Sequence, residues 1–145
     1  SETAHEKPSF KQLMARKRCL IIADSFYEWQ QREDGKIPQR IQVEGRKFFA
    51  FAGLWDKWSQ GEDTLFTCTI LTKDATGFMK DIHHRMPIIL PKEKQDEWIR
   101  PQVFQPAQAK QMLEQMEDPV LTAYPVSTYV NHAKNNDEKC IMPLA

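Results

Sequence analysis

The chain has 145 residues, 41% of them apolar and 28% charged, with twenty lysines and arginines against twenty aspartates and glutamates. That is enough chain for one domain with a packed core, and the balanced charge excludes bulk attraction to polyanions while leaving room for a local basic face. No apolar run is long enough for a membrane-spanning helix, no signal-peptide pattern is present, and the three widely spaced cysteines (Cys19, Cys68 and Cys140) fit a reducing compartment better than a disulfide framework.

Pro8-Ser9 starts the first predicted helix, with Ser9 and Gln12 at capping-box spacing and Phe10, Leu13 and Met14 as its apolar stripe. Lys11, Arg16, Lys17 and Arg18 leave a small basic surface on or after it. Cys19 to Ala23 is a short apolar strand, in which a cysteine behaves as a small hydrophobe, as does Cys68 further on. Phe26-Tyr27-Glu28-Trp29-Gln30 alternates as a strand, placing Phe26, Glu28 and Gln30 on one face and Tyr27 and Trp29 on the other. A carboxylate in so apolar a run needs a partner if buried, and it can then serve as a base. Asp34-Gly35 signals a hairpin, and Gln39 to Val43 alternates again. The aromatic run from Phe48 to Trp58 reads as two strand pieces bent at Gly53, with Trp55 in core packing. Leu65 to Thr72 is a further strand, with Phe66, Cys68 and Ile70 on one face.

Helices enter later. Asp74 to Lys80 reads as a short helix or helical turn, Pro91 opens a helix that runs to about Trp98, and Pro106 opens another whose buried stripe is Ala109, Met112, Leu113 and Met116. Tyr124 to Ser127 is a last extended piece. Strands early and helices late give an α+β fold with a strongly curved, mostly antiparallel, barrel-like sheet and flanking helices, over a single domain spanning 1–145.

The chemistry concentrates in Asp81-Ile82-His83-His84-Arg85-Met86-Pro87. The prolines at 87 and 91 mark an extended segment, so alternation puts His83 and Arg85 on one face and His84 on the other. A proton donor beside a fixed cation suits an anionic or phosphorylated substrate. His83, His84, His132 and Cys140 match no standard metal-ligand spacing, so no metal and no cofactor is expected.

Taken in order, Ser1-Glu2-Thr3, Arg18-Cys19-Leu20-Ile21 leading into Phe26-Tyr27-Glu28-Trp29, Phe51-Ala52-Gly53-Leu54-Trp55, Ile82-His83-His84-Arg85-Met86-Pro87, and Tyr124-Pro125-Val126-Ser127 with Val130-Asn131 resemble the SOS-response-associated peptidase (SRAP) family over essentially the whole chain. The resemblance implies a protein that binds single-stranded DNA and captures abasic sites as a covalent thiazolidine crosslink through an N-terminal cysteine. It implies Glu28 and His83 as catalytic residues, and Arg85, with Ser1, Thr3 and Trp29, as DNA-binding residues. It also implies a bacterial cytoplasmic or eukaryotic nuclear location. The nucleophilic cysteine has no counterpart here, since Cys19, Cys68 and Cys140 are internal. The expectation is therefore an SRAP domain lacking its N-terminal segment. A non-catalytic single-stranded nucleic-acid-binding module and a thiol autopeptidase are the alternative readings.

Overall fold

A computed structural model describes residues 8–101 and 105–144. In chain order these form α1 (Pro8–Arg16), β1 (Arg18–Ala23), β2 (Phe26–Arg32), β3 (Gly35–Val43), β4 (Phe49–Gln60), β5 (Asp63–Ile70), β6 (Thr72–Asp74), β7 (Arg85–Pro87), β8 (Ile89–Leu90), α2 (Lys92–Ile99), α3 (Pro106–Gln115) and β9 (Leu121–Pro125). A 3-10 helix, Gly77–Asp81, is the short helix or helical turn expected before the His segment. The pairings β2–β3, β3–β9, β4–β5 and β4–β8 are all antiparallel, which is the α+β class with antiparallel sheets that the sequence implies. Among the described residues the strands form separate open sheets rather than a closed barrel.

The chain divides into two compact units, each built from three separate segments. The first takes 1–22, 49–73 and 87–118. Its sheet runs β1-β4-β5, with β8 also paired to β4. Against it pack Met14 from α1, Trp98 from α2, and Ala109 and Leu113 from α3, together with Ala52, Leu54, Leu71, Ile88 and Leu90. Met112 and Met116 are partly buried against this cluster, so they serve the core and not an adaptable groove. α1 includes Pro8 and Ser9, and the Ser9 side chain of the expected cap lies outside the described set.

Four details of this unit differ from the sequence reading. Arg18 is not surface. It is buried, and its guanidinium donates to the carbonyls of Met14, Ala15, Trp98 and Arg100, satisfying groups at the C-terminal ends of α1 and α2. β4 does not break at Gly53. The strand is continuous, and the missing Cβ instead admits Ile21 and Cys19, whose nearest side-chain atoms lie 2.8 and 2.9 Å from where a Cβ would sit. Cys68 is exposed along with every residue of β5, the strand at the end of the β1-β4-β5 order. Trp55 is only half-buried, with the Lys17 ammonium 5.3 Å from its ring centre, and the fully buried tryptophan is Trp98.

The second unit takes 23–48, 74–86 and 119–145, and its sheet runs β2-β3-β9. The hairpin turn is Glu33-Asp34, closed by Gly35 at φ +118°, a value that favours glycine. That turn fixes the register: Glu28 stands opposite Gln39 and Phe26 opposite Ile41. β9 continues the sheet, with Ala123 opposite Ile41 and Pro125 opposite Gln39. One face therefore carries Phe26, Glu28, Gln30, Gln39, Ile41, Val43, Leu121 and Ala123. The other carries Tyr27, Trp29, Arg40 and Tyr124.

Candidate active site

Glu28 lies mid-strand in β2, and His83 follows the 3-10 helix. The two sit 55 residues apart in sequence, and the fold brings His83 Nε2 to 3.9 Å from Glu28 Oε2. Both are partly shielded, with side chains 24% exposed for Glu28 and 35% for His83, so the pair is accessible to a ligand but not fully hydrated. Burial pushes the Glu28 carboxyl above its ordinary range, and the His83 and His84 rings pull the other way. A carboxyl so placed keeps its proton to a higher pH than one in water.

The backbone sets the face that His83 presents. His83 Nδ1 lies 3.1 Å from the Arg85 N–H and 3.3 Å from the Arg85 carbonyl, so the Arg85 backbone holds the ring with Nε2 toward Glu28. The expected alternation of side chains fails at this point. His83 and His84 stack with ring centres 4.5 Å apart, because residues 82–84 bend and the strand begins only at Arg85. Ala75 N–H donates to the His84 carbonyl and Ile82 and His83 N–H to the Met79 carbonyl, so the bend is held by backbone bonds.

Arg85 lies two residues beyond His83 and pairs through Nη1 with Asp74 Oδ1 at 2.8 Å. Asp74 is highly exposed, so a phosphate approaching Arg85 competes with a carboxylate that is itself well solvated. Trp29 stands on the opposite face of β2 from Glu28, where its indole N–H donates to Asn131 Oδ1 at 2.7 Å and its ring tilts against Tyr27. The fold thus brings Glu28 and His83 together, with Arg85 two residues beyond His83, and puts Trp29 on the opposite face of β2. Ser1 and Thr3 lie outside the described residues.

Two polar residues beside the pair were missed in the sequence. Gln30 donates from Nε2 to the Asp81 carbonyl at 2.8 Å, bracing the 3-10 helix that carries the chain to His83. Gln39, the ladder partner of Glu28, donates to Gln30 Oε1 at 3.0 Å. The Asp34-Gly35 turn was the available signal, since a tight turn there fixes which residue of β3 faces Glu28.

A carboxyl shifted upward by burial, facing an imidazole nitrogen on an antiparallel sheet, is an arrangement that can pass a proton. Comparison with known proteins adds the family. A family model for the SOS response associated peptidase (SRAP) matches residues 1–133. The chain belongs to the SRAP family. It is 44% identical over 143 residues to the abasic site processing protein YoqW of Bacillus subtilis, covering 97% of this chain and 64% of that protein. It is 33% identical to the abasic site processing protein HMCES of Gallus gallus, covering 99% of this chain and 49% of that one. A crystal structure of a Bacteroides thetaiotaomicron protein superposes with a TM-score of 0.83 at 27% identity, over 99% of this chain and 64% of that chain. The chain thus spans a little under two thirds of the length of the bacterial relatives it matches.

Proposed function

We propose that the protein carrying this chain senses and processes abasic sites in single-stranded DNA, and that Glu28 and His83 handle the protons of that reaction. The supporting observation is the 3.9 Å approach of His83 Nε2 to Glu28 Oε2 in a partly shielded site. The ring-closed abasic sugar opens to an aldehyde when its C1 hydroxyl gives its proton to solvent, the bond from C1 to the ring oxygen breaks and that oxygen takes a proton, of which His83 is the donor. An amine attacks the aldehyde carbon and water leaves, giving an imine. Glu28 takes the amine's proton in the attack. A thiol then adds to the imine carbon, the nitrogen regains a proton, and a thiazolidine closes. The amine and thiol belong together to an N-terminal cysteine. Cys19, Cys68 and Cys140 are internal residues and cannot supply that α-amine. Arg85 holds a backbone phosphate beside the lesion and positions it without reading sequence.

The test uses the protein translated from its whole reading frame, incubated with single-stranded DNA bearing one abasic site and run on a denaturing gel. The expected result is a stable adduct, with Glu28→Gln and His83→Gln each slowing its formation about 100-fold or more. Salt-sensitive binding to undamaged single strands with no adduct would replace this reading with that of a non-catalytic binding module.

A further inference from the structure

Beside the Glu28–His83 pair lies a depression of about 470 Å³ lined by Gln30, Gln39, Phe78, Ile82, Leu121 and Ala123, among others. Its polar floor is oriented by a chain of forced choices. Arg32 Nε can only donate, and it points to Gln30 Oε1 at 3.0 Å. The Asp81 carbonyl can only accept, and it receives Gln30 Nε2 at 2.8 Å. The Gln30 amide is therefore fixed end for end. Gln39 must then turn its nitrogen to Gln30 Oε1, which leaves its own Oε1 as the free end. No bond to that oxygen is seen among the described residues, and since it is not among the enclosed unpaired atoms it opens to solvent from a residue that is only 5% exposed and lines the depression. An amide held in place with an acceptor open to the depression and an unused N–H can pair with a ligand that supplies both. At the rim, Phe78 is 40% exposed, an aromatic ring with a face available for stacking.

We propose that this depression seats the nucleobase next to the abasic site. The inference rests on the single-stranded DNA reading above. The side-chain amide of Gln39 presents the acceptor and donor that pair with the exocyclic amine and ring nitrogen of adenine, and Phe78 stacks on the base. The location is fixed by register: Gln39 faces Glu28 across the β2–β3 ladder, so a base on Gln39 lies one ladder position from the proton-transfer pair. A nucleotide bound there anchors the strand and draws the neighbouring sugar toward Glu28 and His83.

The test measures adduct formation by the whole protein on oligonucleotides with one abasic site, whose neighbour on either side is adenine or a baseless tetrahydrofuran spacer. On one of the two sides, adenine should speed the reaction about fivefold or more over the spacer. In Phe78→Ala and in Gln39→Leu that ratio should fall to about one. Equal rates with adenine and spacer on both sides overturn the pocket while leaving the abasic-site reading intact. If no oligonucleotide gives an adduct, the functional reading fails and the pocket is decided separately. Adenosine 5′-monophosphate is then titrated while the Gln39 side-chain amide and Phe78 ring resonances are followed by NMR. Saturable shifts of both support the base site, and unmoved resonances overturn it.

Discussion

Glu28 shows how one carboxylate can work against the fold that holds it. Folding raises its pKa, because burial penalises the charge more than His83 and His84 relieve it. A carboxyl whose folded pKa is raised contributes stability below its ordinary unfolded value, and that contribution disappears as pH rises through the folded value. Near neutrality the ionised side chain therefore costs stability. Glu28→Gln should melt at a higher temperature than the native protein at pH 7, and the gap should close as pH falls toward about 4. Thermal melts of the two proteins across that range check it, and a gap that widens on acidification would contradict the assignment. At this scale the sequence was informative about identity but not direction. Phe26 to Gln30 alternates, so the separation of Glu28 from Trp29 onto opposite faces was readable. The stacking of His83 on His84 was not, because it depends on backbone bonds from His83 to Met79 and from Ala75 to His84, between residues whose side chains give no sign of them.

Among the elements, β4 shows why a glycine in a strand carries more than one meaning. Gly53 was expected to bend the run, yet β4 passes straight through it, and the reason for glycine lies in the neighbouring strand. A Cβ there would fall 2.8 Å from Ile21 Cδ1 and 2.9 Å from Cys19 Sγ. Gly53→Ala should destabilise the protein by about 1–3 kcal/mol through overpacking, measurable by urea denaturation. The double variant Gly53→Ala, Ile21→Val should recover part of the loss, since it shortens the side chain that is struck. The helices starting at Pro91 and Pro106 and the β2–β3 hairpin were legible because proline and Asp-Gly act locally. The burial of Arg18 was not legible, because its partners at Trp98 and Arg100 lie about 80 residues away and are backbone carbonyls, which leave no trace in side-chain pattern.

Across the whole molecule, the chain alternates between its two units, so neither is a continuous stretch that can be cut free. β9 belongs to the last segment, yet it completes the sheet of the second unit, pairing with β3 from Gln39–Pro125 to Val43–Leu121. A chain ended at Asp118 should lose the ordered second unit entirely, exposing Ile41 and Val43, both buried in the intact protein. Loss of protection of the β2 and β3 amides in hydrogen exchange would report it, and retained protection would show that the two-stranded hairpin stands without β9. The long-range return of β9 is also what the sequence could not disclose. Antiparallel strands were evident one by one, and their order in the sheets was not.

The unequal exposure of the three thiols has a practical consequence. Cys140 is buried and Cys19 is half-buried with its thiol pKa raised by burial, whereas Cys68 stands open on the edge strand β5. Alkylating reagents should therefore tag Cys68 ahead of the other two, offering a site for a fluorophore in the first unit. The same openness makes Cys68 the residue to change to serine before any adduct with an aldehyde is credited to a different sulfur.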